Sequence, residues 1–70
     1  MTETNDFFLN GEIYRINQVI NLLDLITYFN YNNQLLVLEY NNLICERKHW
    51  NTIFIHHNDK IEIVTIVGGG

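Results

Sequence analysis

The 70-residue chain predicts an α+β fold: a mixed sheet of four to five strands packed on one main helix. Three observations predict it. Asn10-Gly11 stands between two strand-like runs, the strongest short hairpin signal, because both central residues must tolerate positive φ. One stretch in the first half repeats its apolar residues at helical spacing. Residues 60–67 alternate as a strand that closes the chain.

The hairpin is placed at roughly residues 5–16, with Ile13 alternating with Glu12 and Tyr14 across the sheet. Asn17 is positioned to cap a following helix. Its apolar stripe is read as Val19, Leu22, Leu23, Ile26 and Phe29, with Asn21 and Asp24 on the opposite side. No Gly or Pro stops this helix, so it is expected to fade where Asn30, Asn32, Asn33 and Gln34 cluster. Leu35 to Tyr40 is dense enough in β-formers for a strand covered on both faces. Asn41-Asn42 reads as a turn, Leu43-Ile44-Cys45 as a short strand, Glu46 to Asn51 as a helical turn, and Thr52 to Ile55 as a brief extended piece. His56-His57-Asn58-Asp59 is a turn into the last strand. There Ile61, Ile63 and Val67 point one way and Glu62, Val64 and Ile66 the other. A hairpin followed by a crossing helix leaves a parallel slot at the sheet centre, and the last strand is expected beside the first.

A chain this short buries only about 60% of its unfolded surface, so one small domain over residues 1–70 is expected, without room for a deep catalytic cleft. Apolar residues make up 47% and charged residues 17%, a folded composition rather than a disordered one. A net charge of −4 does not suit phosphate binding, so nucleic acid is excluded as the main partner. The longest apolar runs, such as Leu35 to Leu38, do not span a bilayer, so no membrane is expected. The acidic start lacks the features of a signal or transit peptide. A single cysteine excludes an internal disulfide and indicates a reducing compartment. The chain has no Ala, Pro or Ser and is rich in Asn, Ile, Tyr and Phe. Those usages point to an AT-rich genome, hence to a plastid stroma or a bacterial-type cytoplasm.

Two segments carry a resemblance. Asn42-Leu43-Ile44-Cys45-Glu46-Arg47-Lys48-His49-Trp50 resembles a pattern of Asn, an apolar pair, Arg, and Trp three residues later. Asp59 to Gly70 resembles a closing strand with a diglycine end, and the distance from Trp50 to the end also matches. Both are similar to the ThiS family, sulfur carriers of thiamine biosynthesis with a ubiquitin-like β-grasp fold. Where the family often has Pro, Gly and Thr, this chain has Glu46, Asn58 and Gln18.

Alone, Gly68-Gly69-Gly70 reads as a frayed terminus. Joined to the Trp50 spacing, it reads as an access arm. Three extended glycines reach about 10 Å and have no Cβ, so a narrow channel can close around them. They present the Gly70 carboxylate as the reacting group, to be adenylated and converted to a thiocarboxylate. The chain has no phosphate-binding loop or dinucleotide fingerprint. It is therefore expected to bind no cofactor, to be no enzyme, and to be the substrate of another protein that uses ATP. The resemblance implies a ThiF-type adenylating enzyme, a persulfide sulfur donor and a ThiG-type thiazole synthase as partners. Diglycine ends also occur in the small subunit of molybdopterin synthase and in ubiquitin-like modifiers or interaction modules, which stand as alternatives.

Val64 and Ile66, on the outer side of the last strand and next to the tail, suit a docking patch as well as they suit a merely less polar sheet face. Cys45 reads as a core or half-buried filler. His49, His56 and His57 fit no zinc spacing and read as solvated, so no metal is expected. The carboxylates show no paired spacing, and Trp50 reads as a packing residue.

Overall fold

The computed structural model describes residues 4–31 and 35–66. Asn10 and Gly11 have φ of 51° and 84°, the two left-handed residues of a type I′ hairpin. They join β1 (Asn5–Leu9) to β2 (Glu12–Ile16), antiparallel, with Leu9 opposite Glu12 and Asn5 opposite Ile16. A Cβ on Gly11 would meet nothing within 4 Å; only its φ calls for glycine.

Helix α1 spans Leu22–Tyr28 and is capped by Asn21, not Asn17. The Asn21 side chain accepts the Asp24 N–H at 2.7 Å, and the Asp24 carboxylate accepts the Asn21 N–H at 3.0 Å, a reciprocal capping box. The helix starts here because the preceding backbone is committed elsewhere. The Ile20 carbonyl accepts the Ile55 N–H at 2.9 Å, the Leu22 N–H donates to Ile53 at 3.0 Å, and Asn21 bridges Phe54. The buried stripe is therefore Leu22, Leu25 and Ile26, continued by half-buried Phe29, while Val19 and Leu23 are exposed. The helix does have a stop. Asn30 has φ of 62°, its N–H reaches the Thr27 carbonyl, and the Tyr31 N–H reaches that of Ile26 at 2.9 Å. This is a Schellman motif with Asn in the glycine position.

A second tight turn, at Asn41 (φ 51°) and Asn42 (φ 73°), joins β3 (Leu36–Tyr40) to the short β4 (Leu43–Ile44). A 3₁₀ turn at Arg47–His49 then places Trp50 in the core. The last strand, β5 (Lys60–Thr65), lies parallel to β1 and antiparallel to β3. The sheet order is β2-β1-β5-β3-β4, so the strand leading to the tail is central, as the sequence predicts.

Phe7, Leu9, Leu38, Ile61 and Ile63 form the inner face and pack with Leu22, Leu25, Ile26, Trp50 and Ile55. Contrary to the expectation for β3, its outer residues Val37 and Glu39 are only half-buried; among the described residues no second layer covers that face. Asp59, 8% exposed, ties the turns at one end together. It accepts the Tyr40 hydroxyl at 2.6 Å, the Asn41 amide at 3.1 Å and the His56 N–H at 2.7 Å.

Candidate functional site

The last strand stands at the centre of the sheet. β5 is held on both sides, and the Ile66 N–H still bonds to the Leu35 carbonyl at 2.8 Å, one step past the strand. Gly68, Gly69 and Gly70 lie outside the described residues. Val64 and Ile66 project from the outer face, 60% and 52% exposed. The register surrounds them with further apolar residues. Val37 stands opposite Val64, Ile44 opposite Glu39, and Ile13 opposite Phe8, with Leu35, Ile44 and Ile13 exposed. The sequence reading found only the two β5 members. The others become visible once the strands are aligned, because facing residues share a side.

No helix among the described residues is long and apolar enough to cross a membrane. Nor do the described residues contain a group of His, Cys, Asp or Glu able to hold a metal ion. Cys45 is half-buried in a shallow cleft of about 270 Å³ with Tyr40, Leu43 and His49. Burial, then the Glu46 charge, pushes its thiol pKa up, which disfavours the nucleophilic thiolate. His57 Nδ1 accepts the Asp6 N–H at 3.0 Å and His56 lies 3.8 Å from the Asp59 carboxylate, both on exposed turns. A groove of about 590 Å³ runs between β2 and α1, lined by Tyr14, Ile16, Ile20 and Phe29, on the helix side of the sheet and away from Val64.

Arg47 and Trp50 meet. The guanidinium lies 4.6 Å from the centre of the indole ring, a cation–π contact, and the indole N–H donates to the Cys45 carbonyl at 2.9 Å. The pair therefore anchors the 3₁₀ turn. Glu46, one residue before that turn, has φ of −70°, the value a proline ring imposes.

A five-stranded mixed sheet with β1 and β5 parallel at its centre, and one helix across one face, defines a small ubiquitin-like β-grasp protein. A family model described as the ThiS family matches residues 7–70. The chain belongs to that family, the ubiquitin-like sulfur carriers: small carrier proteins rather than catalysts. The crystal structure of the thiamine biosynthesis protein ThiS from Geobacter metallireducens superposes with a TM-score of 0.77. The match covers 93% of this chain and 99% of that one at 19% identity, a likeness of fold. Among curated proteins, the uncharacterized protein ycf40 of Trieres chinensis is 62% identical over 91% of this chain and 88% of its own length. The ycf40 of Porphyra purpurea is 32% identical over 89% and 87%.

Proposed function

We propose that the chain carries sulfur for the thiazole ring of thiamine, with Gly70 as the reacting residue and Gly68 and Gly69 as its access arm. The observation that carries this reading is that the family match runs through to Gly70. A Gly70 carboxylate oxygen attacks the α-phosphate of ATP on a ThiF-type enzyme and pyrophosphate leaves. A persulfide sulfur then attacks the acyl carbon and AMP leaves. A thiol then attacks the inner, donor-side sulfur of this acyl disulfide, breaking the S–S bond that came with the persulfide and forming a disulfide with the donor, which leaves a terminal thiocarboxylate that a ThiG-type thiazole synthase accepts. ATP is bound and consumed by the partner; this chain supplies only the carboxylate. Val64 and Ile66 form the docking patch beside the arm. Their exposure supports this role, since an uncovered apolar face next to a reactive end is the usual mark of an interaction surface. The amino-acid usage supports a plastid stroma as the compartment.

The test follows labelled sulfur. The chain, loaded by the adenylating enzyme with ATP and a labelled persulfide donor, is given to thiazole synthase. Label in a thiazole product supports the reading. Label passed instead to a molybdopterin precursor, or the chain found attached to lysines of other proteins, overturns it.

A further inference from the structure

Three rungs of the β3–β5 ladder face outward, and the third works against the fold. Nearest the tail, Ile66 is bonded to Leu35. Next, Val37 stands opposite Val64, and next again Glu39 stands opposite Glu62. The first two rungs are apolar. The third sets two carboxylates side by side in the middle of two paired strands, with Cβ atoms about 5 Å apart, where like charges destabilise the pairing. Among the described residues, Asp6 forms an ion pair with Arg15, and Asp59 lies 3.8 Å from the His56 ring, which is charged only when protonated. Lys60 shares the outer face, opposite Phe8, but forms no ion pair with Glu39 or Glu62. On two sides of the pair the surface is apolar, with Val37 and Val64 toward the tail and Ile44, 72% exposed, opposite Glu39 on β4; on the side away from the tail stands Lys60.

Two facing glutamates bordered by apolar residues on the tail side complement one group best, a planar guanidinium that can bond both. Charge complementarity thus names the occupant. We infer that the protein acting on the tail places an arginine over Glu39 and Glu62, set in an apolar surface that covers Val37, Val64, Leu35 and Ile66. Each rung is two residues, about 6.6 Å along the strand. The arginine therefore stands about 13 Å from the Ile66 rung, which fixes how far it lies from the channel that receives the arm. This rests on the reading of the tail as a substrate. It adds that the docking face is a ruler: apolar at the arm, acidic two rungs away. The same two glutamates cost the free carrier stability and give the complex its orientation.

The test exploits that opposition. Binding to the ThiF-type adenylating enzyme with ATP is measured for the wild type, Glu39→Gln, Glu62→Gln, the double variant and Glu12→Gln as a charge-matched control on β2. The double variant is expected to bind roughly tenfold more weakly and with a flatter salt dependence, while Glu12→Gln stays within about twofold. In the same samples the double variant is expected to melt about 2–4 °C higher than the wild type, so unfolding does not explain the lost affinity. Undiminished binding by the double variant overturns the arginine site. A melting point no higher than wild type removes its premise. A wild type that is itself never adenylated overturns the tail reading, and the arginine site falls with it.

Discussion

Replacing Asp59 with Ala tests how the head of β5 is fixed. The carboxylate accepts from the Tyr40 hydroxyl, the Asn41 amide and the His56 N–H. Without it, the Asn41 amide turns to water, because Asn41 is exposed. The Tyr40 hydroxyl keeps only its 3.3 Å bond to the Phe54 carbonyl, and the His56 N–H loses its acceptor. Two hydrogen bonds to a charged group, at about 1.5–3 kcal/mol each and reduced by that partial rescue, put the cost near 3 kcal/mol. A chain of 70 residues has roughly 4–10 kcal/mol in all, so the variant should lose between about a third and three quarters of its stability. Asp59→Asn keeps the acceptor oxygen but turns an amine toward a donor, and should cost about 1–2 kcal/mol. The Tyr40 pKa provides a second readout. Burial, then the hydrogen bond and charge of Asp59, push it up to about 12. The folded value lies above the unfolded one, about 10. The stabilisation from the neutral hydroxyl is therefore fully present below pH 10 and lost as the pH rises toward 12. Urea denaturation followed by Trp50 fluorescence, with alkaline titration of tyrosine absorbance, measures both. In Asp59→Asn the late tyrosine phase should move down while staying above the ordinary range, because burial persists. A loss under about 1 kcal/mol for Asp59→Ala, or a wild type whose tyrosines all ionise together near pH 10, would refute the reasoning.

Three further outcomes are expected. Asn21→Ala removes the capping box and should cost about 1 kcal/mol, whereas Asn17→Ala should change stability by only a few tenths; equal effects in denaturant melts would contradict the helix start. Ile66→Asp places a charge on the proposed docking face outside the core, so it should leave the melting curve within about 0.5 kcal/mol of wild type while abolishing pyrophosphate release by the adenylating enzyme. Retained release would remove Ile66 from the interface. Cys45→Ser should leave sulfur loading unchanged in a single-turnover assay, because in the proposed function Gly70 and not the thiol carries the sulfur; loss of loading would revive a relay role for Cys45.

Most of the sheet was legible because its signals are local. Asn10-Gly11 and Asn41-Asn42 turn where they must, and the alternation of Ile61 and Ile63 with Glu62 and Val64 survives intact. The helix start was misplaced because nothing local in residues 20–22 shows their pairing with residues 53–55, more than thirty positions on. Yet the cap was readable: Asn21 and Asp24 have capping-box spacing. The helix end was obscured by composition. In an Asn-rich chain a single Asn30 is easily passed over, although Asn10, Asn30, Asn41, Asn42 and Asn58 all have positive φ and do the work glycine usually does. The outer apolar face was half legible, since Val64 and Ile66 belong to one strand while Val37, Ile44 and Ile13 join them only through register. The Glu39–Glu62 opposition has no single-strand signature at all.

The account rests on Gly70 as the atom-exchanging end. Intact-mass measurement of the chain after incubation with ATP, a ThiF-type enzyme and a persulfide donor tests this most directly. The expected result is a gain equal to one oxygen replaced by one sulfur, located at Gly70 by fragmentation and absent when Gly70 is deleted. An unchanged mass with a competent enzyme, or sulfur found on Cys45 instead, would contradict it.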